Sequence, residues 1–236
     1  MNLFVHHDAT ALARLVGASH PGCTGVILAH PPVGDALASF VDGNPLASDF
    51  LLDVELPGRT IVLWSGTLAE TLFGDEPRTW MRPGHDALRR FCDAAAPTLL
   101  LRGRTLCFRP HVRHVLSDVQ GCLNFLRDRA GQPFTIALAP ADLLTPDMLA
   151  NAEEHLTRAF EALGPRAAMV LLHDGQVAGA TTGGSDSDVL LPAPFGSGRL
   201  PREIVARLLR EHVPAATPVV LLPTEVEAQR TLLGIG

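Results

Sequence analysis

The residues best equipped for chemistry lie in one short segment, Thr105-Leu106-Cys107-Phe108-Arg109-Pro110-His111. Read as a strand, its alternation sends Leu106 and Phe108 to one face and Cys107, Arg109 and His111 to the other. A guanidinium at the end of such a strand could grip a carboxylate or phosphate through two parallel N–H donors. It could equally close a salt bridge to Asp142 or Asp174. The next apolar segment, running from Thr135 to Ala139, has Ile136 and Leu138 on one face and Ala137 and Ala139 on the other. A charged arginine therefore ends one strand where a bare methyl ends its neighbour.

Further candidates close other apolar runs. His173 is followed directly by Asp174, and an imidazole beside a carboxylate can act as general acid or base near neutral pH. Asp142 could assist as a base, or cap the helix that Thr145-Pro146 opens. His6, His7, His30, Trp64 and His111 also stand at strand ends. Any one of these histidines, taken alone, is more often structural than catalytic. Gathered at one mouth, His173, Asp174 and Asp142 would form a catalytic set, with Arg109, His111, His6, His30 and Trp64 binding the substrate. The histidines also leave open a metal site rebuilt from imidazoles. All nineteen basic residues are arginines and tyrosine is absent, so Schiff-base lysine and tyrosine acid/base mechanisms are removed.

Eight short apolar segments must position these groups: residues 3–7, 24–30, 50–56, 60–64, 105–111, 135–139, 168–174 and 218–222. The weakest of them is Phe50 to Leu56. Helical patterns follow most of them, including one that Asp8 would cap and Ala11, Leu12, Leu15 and Val16 would support, and others at 86–101, 117–129, 145–163 and 201–212. Residues 175–188, rich in Gly, Ser, Thr and Asp, read as a mobile loop or small hairpin. Strand and helix in alternation predict an α/β fold, a single (β/α)8 TIM barrel of parallel strands filling residues 1–236 as one domain.

Composition narrows the partners. A net charge of −6 offers no basic field for nucleic acid. No apolar run reaches the ~18 residues of a membrane span, and the start of the chain has no charged-then-apolar layout, so a cytoplasmic location is expected. The four cysteines, Cys23, Cys92, Cys107 and Cys122, show no C-x-x-C pair and read as free thiols. The expected partner is a small-molecule substrate or metabolite; self-association into a homo-oligomer stays open.

Between about residues 85 and 222 the order of segments resembles the sugar phosphate isomerase/epimerase family, the xylose isomerase-like barrels. The segment from Gly103 to His111 is similar to the family's strand ending in glutamate-proline-histidine, and Leu138-Ala139-Pro140-Ala141-Asp142 to its leucine-aspartate-proline-glycine-histidine. Leu171-Leu172-His173-Asp174 resembles its histidine-x-lysine-aspartate, and Pro194-Phe195-Gly196-Ser197-Gly198 its glycine-rich loop before the last helix. The resemblance implies the fold and a divalent metal. At the positions of the family's ligands, however, this sequence has Arg109, Ala139, Leu171, Leu222 and Ile27. A hard cation needs oxygen or imidazole donors, and an arginine would repel it. The expectation is a divergent, metal-independent isomerase/epimerase- or lyase-type barrel with no cofactor, acting on a small, anionic, sugar-derived or carbonyl compound. The alternative is a catalytically inactive barrel that binds a metabolite or protein.

Overall fold

In a computed structural model, which describes residues 1–8, 10, 20, 22–32, 34–177 and 189–235, eight strands close into a barrel. The staves are β1 (Asn2–Asp8), β2 (Cys23–Ala29), β3 (Ala38–Val41), β4 (Thr60–Trp64), β5 (Thr105–Arg109), β6 (Phe134–Leu138), β7 (Met169–Leu172) and β10 (Pro218–Leu221). Between β7 and β10 a two-stranded hairpin, β8 (Asp174–Val177) and β9 (Leu190–Ala193), stands outside the barrel. The helices are α1 (Arg82–Leu101), α2 (Val119–Asp128), α3 (Ala152–Leu163), α4 (Arg202–His212) and α5 (Val226–Leu232). The helix expected over Ala11, Leu12, Leu15 and Val16 and most of the 175–188 segment lie outside the described residues.

Side-chain alternation divides the apolar residues into two clusters. Leu106, Phe108, Ile136, Leu138, Val170 and Leu172 pack outward with the helices, whereas Cys107, Ala137, Ala139, Met169, Leu171 and Val220 fill the barrel. The helices meet this outer layer through apolar spacings of three and four, such as Leu156, Ala159, Phe160 and Leu163 on α3. Asp118 starts α2 by accepting from the Gly121 amide at 2.6 Å, and Phe125 of that helix meets the Phe108 ring at 5.3 Å. The interior is thus a packed core, open to chemistry only at its rim.

Two expectations require correction. The third strand is Ala38–Val41; residues 50–56 form no strand, although Phe50 and Leu56 still pack on the core. The staves are also not all parallel, since β2 pairs antiparallel with both β1 and β3. A parallel return needs a crossover of a dozen or more residues. The short connection over residues 30–37, which carries Pro31 and Pro32, joins the end of β2 to the start of β3 at one rim instead. This places His30 beside the start of β1, where its amide donates to the Leu3 carbonyl at 3.1 Å and its ring meets Glu227 at 3.0 Å. His30 is therefore on the rim opposite the ends of β5 and β7.

The hairpin is pinned by Asp174. Its carboxylate is fully buried and accepts from the amides of Gly175 at 2.8 Å, Leu200 at 2.9 Å and Gly196 at 3.1 Å. Gly198 must lack a side chain there, because a Cβ would lie 2.3 Å from Asp174 Oδ1. Asp174→Ala leaves two buried N–H groups and a half-buried one without an acceptor and is expected to cost about 3 kcal/mol, with Asp174→Asn losing less. Denaturant unfolding of both variants checks this, and an unchanged midpoint for the alanine variant would contradict it.

Candidate functional site

At the rim where β4 to β7 end, one buried polar network occupies the mouth. Arg109, at the end of β5, points inward and donates through Nε to Asp142 Oδ2 and through Nη2 to Oδ1 at 3.1 Å. Asp142 reaches this point because a 3-10 turn, Pro140–Leu143, follows β6 and is tied back by its own amide to Ala139 at 3.1 Å. Ala137 and Ala139 on the intervening stave leave room for the guanidinium. Its flat face lies 4.0 Å from the Trp64 ring and 5.6 Å from that of Phe40. Trp64 is held in turn by Nε1 donating to Asp42 at 2.8 Å.

His173 completes the network. Its Nδ1 lies 3.0 Å from the Asp174 carbonyl, an acceptor only, so Nδ1 carries a proton. Nε2 stands between Arg109 Nη2 at 3.0 Å and Asp142 Oδ1 at 3.2 Å. The neutral ring accepts from the arginine, and the imidazolium would donate to the carboxylate. Burial alone would raise the Asp142 pKa, but the Arg109 guanidinium and the hydrogen bonds from Arg109 and His173 outweigh it and hold the carboxyl well below the usual range.

Above the network is a cavity of about 310 Å³, walled by His6, Phe40, Asp42, Trp64, Phe73, Arg109, His111, Asp142 and the Val189 to Pro192 side of the hairpin. Of the sequence candidates, the structure brings Arg109, Asp142, His6, His111 and Trp64 to this cavity. His173 touches it only through Arg109 and Asp142. Asp174 turns its carboxylate away to the hairpin, and His30 is at the far rim, so the catalytic expectation for Asp174 and the binding expectation for His30 do not match their placement. Sequence reasoning does not reach Phe40, Asp42, Phe73 or the hairpin wall. The only sequence signal for the first two is the brief run Ser39-Phe40-Val41 before the Asp42-Gly43 turn.

Three imidazoles line or underlie the cavity in neutral form. Burial, and then Arg109, lowers His6 to about 4. Burial lowers His111 to about 4, Asp142 opposing and Arg109 assisting. His114, stacked on Phe73 and donating Nε2–H to the Leu72 carbonyl at 2.8 Å, falls to about 3 for the same first reason.

The divalent metal implied by the family resemblance does not fit these residues. A cation already stands at the Arg109 position, bound to the nearest carboxylate, while Ala139, Leu171 and Ile27 present only buried hydrocarbon. Among the described residues no three His, Cys, Asp or Glu side chains converge to hold an ion.

No family model matches the sequence, and no curated protein aligns with it. Solved structures do. The probable 3-DHS dehydratase AsbF of Bacillus anthracis, involved in petrobactin synthesis, has a TM-score of 0.50 at 10% identity, over 75% of this chain and 62% of its own. A xylose isomerase domain protein from Planctomyces limnophilus has a TM-score of 0.50 at 17% identity, over 75% of this chain and 58% of its own. The chain has the fold of the xylose isomerase-like TIM barrels. It spans roughly three fifths of the length of these structures.

The neutral imidazoles set an acid limit on stability. A histidine near 6.5 when unfolded and near 4 or 3 when folded binds fewer protons in the native state between those values, so stability is present above about pH 6.5 and is lost as pH falls. Asp142 adds a loss of the same sign below the carboxylate range. Melting should drop from pH 7 to 4.5 by an amount on the order of 2 kcal/mol for each buried imidazole, and His114→Phe should reduce the drop. An equal drop in that variant would remove His114 from the account.

Proposed function

We propose that the protein is a metal-independent enzyme of the isomerase, epimerase or lyase type, using acid/base chemistry on a small polar, sugar-derived or carbonyl compound held at the barrel mouth. The observation that carries this reading is the arrangement of Arg109. Nε and Nη2 are fixed by Asp142 and His173, whereas Nη1 has no hydrogen-bond partner among the described residues, and the side chain borders the cavity. A pre-positioned cationic donor facing a cavity walled largely by aromatic and aliphatic side chains can polarise a carbonyl oxygen with little reorganisation. His173 and Asp142 position it.

The same geometry shifts the substrate expectation from an anion to an uncharged compound. Asp142 balances the arginine's charge, and His6 and His111 are neutral, so the described walls contain no surplus positive charge for a phosphate. The aromatic faces of Trp64, Phe40 and Phe73 suit a carbon skeleton. One observation favours a binding barrel without catalysis: both His173 ring nitrogens are engaged within the protein.

Thermal melting with small ketoses, their phosphate esters and carboxylates tests the reading. Uncharged ketoses should stabilise the wild type most. Arg109→Lys should weaken their binding about 10-fold or more, since the three donors of an ammonium radiate from one nitrogen and cannot reproduce the planar two-point grip on Asp142 while also facing the cavity. Arg109→Met should also lower stability by about 3 kcal/mol, because Asp142 is left buried with His173 as its one remaining side-chain partner among the described residues. Stabilisation by phosphate esters alone would refute the uncharged substrate, and no response to any carbonyl compound would refute the site.

A further inference from the structure

Resting on the reading above, we propose that His111 and Arg109 hold one carbonyl oxygen between them, through Nε2–H and Nη1–H, and that His6 takes the proton from the adjacent carbon. The ligand is then a small uncharged compound with a carbonyl next to a C–H bond.

The role of His111 follows from its hydrogen bonding. Its Nδ1 lies 3.1 Å from the Arg113 amide nitrogen, and a backbone N–H can only donate. Nδ1 therefore has no proton, and the neutral ring carries its hydrogen on Nε2. That nitrogen has no partner among the described residues, and the residue borders the cavity. The His111 ring lies edge-on to Trp64 at 5.7 Å, and the Arg109 guanidinium lies over the same indole at 4.0 Å. The two free donors thus flank one aromatic wall. A neutral imidazole paired with a fixed cation is suited to charge that develops on an oxygen.

His6 supplies the complementary group. It extends from β1 with its ring 4.9 Å from Phe40, whose ring is also 5.6 Å from the arginine Cζ. Neither of its nitrogens is hydrogen-bonded to a described residue. Nε2 is buried against Gly25, where a Cβ would approach it to 2.1 Å, so Nδ1 is the nitrogen assigned to the ligand in the cavity that His6 lines. Among the described residues Nδ1 has no partner to give up, so a ligand in the cavity can bond to it. The ring is neutral, so it can accept a proton. The charged and titratable groups that act on it are Arg109 from β5, Asp42 after β3, His173 after β7 and its neighbour His7.

The chemical step balances without a co-reactant. His6 takes the proton, the C–H electron pair forms a carbon–carbon double bond, and the carbonyl π pair moves to oxygen. The resulting enolate is held by the Arg109 and His111 N–H groups, opposite the new imidazolium. Return of the proton to the same face restores the original carbonyl compound, with solvent deuterium in place of the hydrogen where His6 has exchanged; delivery to the opposite face gives the epimer at that carbon.

The test is deuterium incorporation. The protein is incubated in D2O with small unphosphorylated ketoses, dihydroxyacetone among them, and loss of the C–H signal next to the carbonyl is followed by NMR. Ligand binding is measured in parallel by melting temperature. The wild type should exchange. His6→Gln should slow exchange about 100-fold while retaining binding, as expected for loss of a proton acceptor. His111→Phe, which lacks the donor, should slow it about 100-fold, and His111→Gln, which restores an N–H, should recover part of the loss. Exchange that persists in His6→Gln but fails in Arg109→Met would overturn His6 as the proton acceptor and leave the proposed function intact. Binding without exchange in the wild type would overturn the proton transfer and favour the non-catalytic barrel. Absence of both would overturn the site itself.

Discussion

The mouth of this barrel depends on one buried ion pair. Arg109 is 8% and Asp142 5% exposed, so both charges have lost most of their hydration, a cost of several kcal/mol per ion that their attraction must offset. The pair meets that cost through geometry: two N–H bonds to the carboxylate, a third to His173, and the Trp64 face beneath the guanidinium plane. An arginine can be accommodated only because Ala137 and Ala139 occupy the inward positions of the next stave. A leucine there would compete for the same space.

His173 and Asp174 show how the backbone divides work between neighbours. The imidazole faces the barrel and joins the ion pair, while the carboxylate leaves it and gathers three amides at the base of the hairpin. His173 Nδ1 bonds to the carbonyl of Asp174, so the residue that orients the arginine is itself oriented by the residue that fixes the cavity wall. The network and the hairpin share one anchor point. Displacement of β9, which carries Leu190 to Pro192 into the cavity wall, would therefore be felt at Arg109 through this chain of bonds.

Much of this is legible in the sequence because strand alternation is a strict rule. The inward direction of Cys107, Arg109, Ala137 and Ala139 follows from period two alone, and Asp142 is one of the few partners that charge and position allow for Arg109. Strand direction is not legible in the same way, because an apolar run such as Val26-Ile27-Leu28 reads identically in either sense. The information lies in the connection: Pro31 and Pro32 in a segment too short for a crossover. The position of His30 depends on that connection alone. Ala38–Val41 is hard to detect because Ala and Ser dilute its apolar signal, while Phe50 to Leu56 matches a strand pattern that its packing as irregular chain does not require. Asp174 cannot be separated from His173 by sequence, since its three amide partners come from residues as distant as Leu200.

The ion pair also sets the protonation of its surroundings. Burial is the largest cause of the low His6 and His111 values, and Arg109 adds to it in both cases by disfavouring a second positive charge. Asp142 acts in the opposite sense on His111 but is bound to the arginine by two hydrogen bonds. One guanidinium thus stands where the related fold is expected to hold a metal, fixes the carboxylate, and adds to the burial that keeps two cavity imidazoles neutral. A lysine would retain the charge but could not meet Asp142, His173 and the cavity at once from a single nitrogen without giving up the planar contact with Trp64. The absence of lysine from the whole chain does not by itself explain that choice. The three-sided demand on Arg109 does, because only a planar group with donors on separate nitrogens satisfies it.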